Sequence, residues 1–175
     1  PAARGPALAD GVKVNNLYKF EIATVINLSQ TADEANGNFP ADAQMPGIPG
    51  TSGANDGIDA EVITFLELPV GAVTMGVNSD DGFRAQAGYI NVPADGAVLG
   101  QFEGGRGASD TLFTFVVASA GVYPIRVIWQ EGGGGANIEL SSVKAEGTRA
   151  LLNDTDNGGF RCYRVGVAPA KPVAF

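Results

Sequence analysis

Two adjacent carboxylates followed by glycine, Asp80-Asp81-Gly82, are the residues of this 175-residue chain whose types and spacing best suit binding chemistry. Hard cations such as calcium prefer carboxylate oxygens on a loop that can bend around them. The same tripeptide also makes a tight turn, in which Asp accepts backbone hydrogens and Gly supplies a positive φ. Both readings stand at this level. A second acidic stretch, Asp154-Thr155-Asp156-Asn157-Gly158, begins like a calcium loop but lacks the closing bidentate glutamate of an EF-hand, so a solvated turn is expected. The four glycines Gly132 to Gly135 are followed by neither Lys-Ser nor Lys-Thr, nor by a helix start. A phosphate loop is therefore excluded, and a flexible hairpin tip is expected.

Catalysis has little to work with. The chain has no histidine, which excludes a Ser-His-Asp or Cys-His arrangement and removes the commonest metal ligand. Glu131 with Glu139, or Glu61 with Glu67, are the carboxylate pairs a glycosidase would need, but alternating carboxylates are ordinary on strand surfaces and nothing in their spacing brings them together. The expectation is a protein that is not an enzyme and requires no cofactor, with calcium as the one cation its side chains suit. Cys162 is the only cysteine, so no internal disulfide forms; it reads as a small core residue or as an intersubunit bridge. Asn27-Leu28-Ser29 and Asn153-Asp154-Thr155 match the N-glycosylation pattern.

The elements that position these residues are strands. Twenty-five Gly and 10 Pro punctuate the chain too often for long helices, while 45% hydrophobic residues are enough to build a core. Val12 to Asn15 and the run Leu17 to Leu28 read as strands, although Ile22 to Ile26 also suits a helical turn. From Ser29 to Gly57 the density of Gly, Pro, Asn, Asp and Ser predicts a long surface connection. Period-two patterns then predict strands over 60–68, 73–77, 83–87, 89–92, 97–102, 112–118, 122–130, 136–143 and 160–167. In the most apolar of these, Tyr123, Ile125, Val127 and Trp129 share one face and are expected in the core.

Roughly nine to eleven short strands without a useful helix imply an all-β fold, an antiparallel β-sandwich or jelly roll with long surface loops. A single domain over 10–167 is expected, flanked by extended arms at 1–9 and 168–175 that are rich in Pro and Ala. Eleven Lys plus Arg against 19 Asp plus Glu give a formal charge of −8, which repels phosphate backbones and anionic lipid. Nucleic acid is thereby excluded as a partner. The longest apolar stretch, Thr111 to Trp129, is broken by Gly121, Pro124 and Arg126, so membrane insertion is excluded as well.

The segments Gly76-Val-Asn-Ser-Asp-Asp-Gly-Phe-Arg84, Phe115-Val-Val-Ala-Ser-Ala-Gly-Val-Tyr-Pro-Ile-Arg-Val-Ile-Trp-Gln-Glu131 and Ala136-Asn-Ile-Glu-Leu140 resemble the protective-antigen-type domain, a family that includes yeast flocculin and GLEYA adhesins. The resemblance runs from about Gly57 to Val143. The trailing segment Ala150 to Arg164 is similar to tails that follow such domains in large surface proteins of environmental bacteria. The resemblance implies a β-sandwich, an extracellular or cell-surface setting and carbohydrate binding. In lectin members, two adjacent Asp residues joined by a cis peptide hold a calcium ion that in turn holds sugar hydroxyls, and an Asn on a second loop completes the site. Asp80 and Asp81 match the pair, and Asn137 is the nearest match for the Asn.

The leading expectation is a secreted structural protein, a self-assembling subunit of a bacterial surface fibre or coat whose partners are copies of itself. Its terminal arms would add strands to neighbouring subunits, and Pro172, Val173 and Phe175 are apolar residues with no obvious partner of their own. The alternative is a calcium-dependent carbohydrate-binding adhesin with glycans as partners. An accessory domain of a glycoside hydrolase ranks third.

Overall fold

A computed structural model of the chain describes residues 12–14, 17–47, 56–88 and 96–164. The two terminal arms, with Pro172, Val173 and Phe175, lie outside the described residues, as does the strand expected over 89–92. In chain order the strands are β1 (Val12–Val14), β2 (Leu17–Lys19), β3 (Asn27–Ser29), β4 (Ala43–Gln44), β5 (Ile58–Leu68), β6 (Gly71–Asp80), β7 (Phe83–Ala87), β8 (Ala97–Phe102), β9 (Ser109–Val117), β10 (Gly121–Glu131), β11 (Asn137–Val143), β12 (Arg149–Leu151) and β13 (Cys162–Tyr163). β1 and β2 pair only with each other among the described residues. A sheet in the order β13-β5-β10-β7-β8 faces a sheet in the order β4-β3-β11-β6-β9, to which β12 adds by pairing with β11. Apart from the parallel β3–β4 pair, all pairings are antiparallel. The protein is an all-β sandwich.

Alternation places the core between the layers. Tyr123, Ile125, Val127 and Trp129 of β10 are all buried, as their shared parity requires. They pack with Leu66 and Phe83 of their own sheet and with Met75, Val77, Phe113, Ile138 and Leu140 of the other. Cys162 is half-buried at the margin of this core, and burial pushes its thiol up to about 11. That suits the small core residue expected of it.

One expectation about the first third of the chain needs correction. The run from Leu17 to Leu28 is strand only at its ends, and Ile22 to Ile26 forms neither strand nor helix. Its backbone is used differently: Ile26 C=O accepts from Leu140 N–H, and the Ala23 and Thr24 carbonyls accept from Asn153 Nδ2. The connection after Ser29 runs over the surface as expected, and it is anchored there as a strap. Asp42 and Met45 are buried, and Asn38 and Phe39 donate their backbone N–H groups to the carboxylate of Glu139, a side chain only 1% exposed on the outer face of the six-stranded sheet. A carboxylate taken out of water requires such donors, and the strap supplies them.

Candidate functional site

Three loops pass from one sheet to the other at the same end of the sandwich. β6 ends in one sheet at Asp80 and β7 starts in the other at Phe83, so Asp80-Asp81-Gly82 is a crossing. The links from β8 to β9 and from β10 to β11 make the same passage. These loops are joined through the aspartates. Asp81 Oδ1 accepts from Arg106 N–H at 2.7 Å, and Asp81 Oδ2 accepts from Gly132 N–H at 2.9 Å. Asp81 N–H donates to Gln130 C=O, and Gln130 N–H donates to Gly82 C=O. Trp129 Nε1–H, in the core below, donates to Asp80 C=O at 3.0 Å, and Ser79 Oγ donates to Asp81 C=O at 2.6 Å. The peptide between Asp80 and Asp81 is cis.

Glycine is required here for space. A Cβ on Gly82 would stand 3.0 Å from Phe102 O and 3.2 Å from Gly104 O, while its φ is not in the left-handed region. The turn reading, with positive φ at Gly82, is corrected accordingly. A Cβ on Gly135 would come within 2.9 Å of Asp80 Oδ2. Gly132 to Gly135 is thus not a free hairpin tip: it closes over the acidic groups, and its smallness lets it do so.

Below the two aspartates lies a third carboxylate. Glu131 is the last residue of β10 and continues the inward parity of Trp129, so it is buried at 2% exposure. One carboxylate oxygen from each of Asp80, Asp81 and Glu131 lies within 4.8 Å of the others. Neither Glu131 oxygen has a hydrogen-bond partner of ordinary geometry among the described residues. Desolvation, reinforced by the charges of Asp81 and Asp80, pushes Glu131 up to about 7 against a weaker opposing pull from Gly133 N–H. Asp80 is also raised, first by burial and then by Asp81. Asp81 moves the other way, because the Gly132 and Arg106 N–H groups favour its charged form. The Arg106 guanidinium donates to Ser79 C=O, Ser79 Oγ and Thr111 Oγ1, with its Cζ 4.1 Å from the Phe102 ring centroid. Asp80 and Asp81 thus line an open cleft of about 540 Å³ together with Arg106, whose charge partly offsets that of Asp80, while Glu131 is buried beside them.

This arrangement fits a hard cation. The donors are all oxygen, they converge, and one of them is a buried carboxylate without a partner, which a bound cation would neutralise. Asn137 stands opposite Asp80 in the β6–β11 ladder, and its buried Oδ1 also lacks a partner among the described residues. Asp80, Asp81, Glu131 and Asn137 would hold the ion, whose own chemistry is to bind further oxygen ligands.

The remaining candidates do not converge on anything. Glu139 lies under the strap, far from Glu131 in role: its oxygens are taken up by backbone donors. Glu61 pairs with Arg126, and Glu67 accepts from Tyr163; six residues of extended β5 separate them, about 20 Å. Asp154 caps a 3-10 turn over Thr155–Asn157, in keeping with a turn. Asn27 is buried with its amide on Pro40 C=O, and Asn153 uses Nδ2 and Oδ1 in hydrogen bonds to Ala23, Thr24 and Cys162, so both sequon nitrogens have structural work in the folded chain. Glu131 and Arg106 escape the sequence reading of the site. For Glu131 the signal was present, since one further step of the parity that places Trp129 inside reaches it.

No family model matches the chain, and no curated protein matches it. Solved structures do. The "PA14 sugar-binding domain from RTX adhesin" superposes with a TM-score of 0.51 at 15% identity, over 75% of this chain and 73% of that one. An "anti-sigma factor domain-containing protein" gives a TM-score of 0.52 at 11% identity, over 81% of this chain and 43% of that one. The PA14 domain of the antifreeze protein MpAFP gives 0.48 at 16% identity, and the chain spans 52% of that structure. At these identities the likeness is one of fold: this chain adopts the β-sandwich that a sugar-binding PA14 domain also adopts.

Proposed function

We propose that this chain is an extracellular, calcium-dependent carbohydrate-binding module. The observation that carries the reading is the convergence of Asp80, Asp81 and Glu131 oxygens within 4.8 Å, where the two aspartates line an open cleft and Glu131 is buried beside them. A cation held there from below keeps coordination positions on its cleft side, and vicinal sugar hydroxyls are oxygen ligands of the right hardness. An adhesin sharing the fold is described as sugar-binding, which supports the same reading. The mechanism is binding rather than bond-making, with Arg106 and Gly132 backbone donors fixing Asp81 while Trp129 fixes the Asp80 carbonyl. Calorimetric titration with calcium, followed by glycan-array binding with and without EDTA, tests it. Calcium uptake together with EDTA-sensitive glycan binding is expected, and glycan binding indifferent to EDTA would refute it.

Strand-linked assembly is a second reading, favoured by one observation. β9 has no neighbour on its outer side among the described residues and exposes Val116 at 79% and Leu112 at 49%. Sedimentation at high concentration tests it, with a strictly monomeric chain as the contrary result.

A further inference from the structure

The orientation of Asn137 is dictated from a distance. Asp110 on β9 accepts from three donors: Asn38 Nδ2 at 2.7 Å, Asn78 Nδ2 at 2.8 Å and Arg149 Nη1 at 2.7 Å. Surrounded only by donors, its carboxylate acts purely as acceptor, the role of the ionised form. Asn78 on β6 must therefore turn its NH2 toward Asp110, which leaves its carbonyl oxygen facing β11. There Asn78 Oδ1 can only accept, and it accepts from Asn137 Nδ2 at 3.1 Å. Asn137 has thus spent its NH2 on Asn78. Its Oδ1 is the end left over, in a side chain 1% exposed and opposite Asp80 in the ladder, with no partner among the described residues. The order of every amide in the row follows from the acceptor-only end at Asp110. A buried acceptor without a donor costs free energy unless something electropositive meets it.

We infer that Asp110 and Asn78 are positioning residues for the cation site: their hydrogen-bond relay locks the Asn137 amide with its oxygen, not its nitrogen, available to the ion. This rests on the calcium reading above and deepens it. Without the relay the amide is free to rotate by a half-turn and present N–H donors, which repel a cation. Outer-shell partners of metal ligands act in this way, and their loss lowers affinity roughly 10- to 100-fold.

The experiment is a double-mutant cycle on calcium affinity by calorimetry, with the thermal midpoint of each cation-free protein measured alongside. Asn78→Leu in the wild-type background should weaken calcium roughly 10-fold or more. In an Asn137→Ala background, where no amide remains to orient, the same change should have no further effect. The exchange variant Asn78→Asp with Asp110→Asn keeps an acceptor beside the Asn137 NH2 and should retain affinity. It also serves if Asn78→Leu does not fold. Equal losses in both backgrounds, or an exchange variant as weak as Asn78→Leu, would overturn the relay while leaving the calcium reading intact. A wild-type chain that takes up no calcium overturns both, and an Asn137→Ala chain that binds normally overturns the relay alone.

Discussion

Substituting Glu131 with Gln should stabilise the cation-free protein and weaken its response to calcium. Glu131 is buried, lacks hydrogen-bond partners of ordinary geometry among the described residues, and is pushed from 4.5 to about 7 by desolvation and by Asp81 and Asp80. Because its pKa is higher folded than unfolded, the native state binds more protons between these values, and stability falls as pH rises through that window. Above pH 7 the full difference applies, about 3 kcal/mol at pH 8. At pH 5 the folded carboxyl is protonated and the residual difference is about 1 kcal/mol. Gln has the same shape without the charge. In EDTA the variant should therefore gain on wild type by about 2 kcal/mol between pH 5 and pH 8, which is roughly 4 to 8 °C in midpoint for a domain of this size. Calcium reverses the order, since the ion stabilises by its mass-action term and loses a carboxylate ligand in the variant. Thermal denaturation at the two pH values, in EDTA and in excess calcium, reads all four quantities. A variant whose stability relative to wild type in EDTA is the same at pH 5 and pH 8 would refute the electrostatic argument. An unchanged calcium increment would refute the assignment of Glu131 as a ligand.

Other substitutions probe the surroundings of the same site. Replacing Asp80 and Asp81 together with Ala should abolish calcium-induced stabilisation and EDTA-sensitive glycan binding while leaving the far-ultraviolet dichroism of a β protein; retained calorimetric binding would count against the site. Gly135→Ala places a methyl 2.9 Å from Asp80 Oδ2, a flexible side-chain end, so it should cost less than about 1 kcal/mol in stability yet lower calcium affinity severalfold, measured by titration. Trp129 is the only tryptophan and donates to the Asp80 carbonyl, so its fluorescence should change on calcium addition and not on magnesium-free EDTA dilution alone. Glu139→Ala removes the acceptor of the Asn38 and Phe39 N–H groups and should cost about 2 to 4 kcal/mol in urea unfolding, with proteolysis increasing within 31–42.

How far each part could be read from the chain depends on the range of the forces involved. The inward face of β10 was legible because strand parity is local: with a period of two, Tyr123 and Trp129 must share a face whatever lies opposite. The all-β class followed from Gly and Pro punctuation for the same reason. Ile22 to Ile26 misled because its apolar residues carry no information about backbone partners, and those partners, Leu140 and Asn153, are more than a hundred residues away. Asp80 and Asp81 stood out as a pair, but pairs of adjacent acids are common, and nothing local to them identifies a third converging carboxylate.

Local order in the chain settled which residues form strands, which way their side chains alternate and where the acidic turn falls. Tertiary structure alone decided that three crossings meet at one end of the sandwich, so that Glu131 comes to lie beneath Asp80 and Asp81 and the glycines fold over them. The physical reason is that parity and turn propensity act over a few residues, whereas the mutual repulsion and desolvation of these carboxylates exist only once packing brings together positions fifty residues apart.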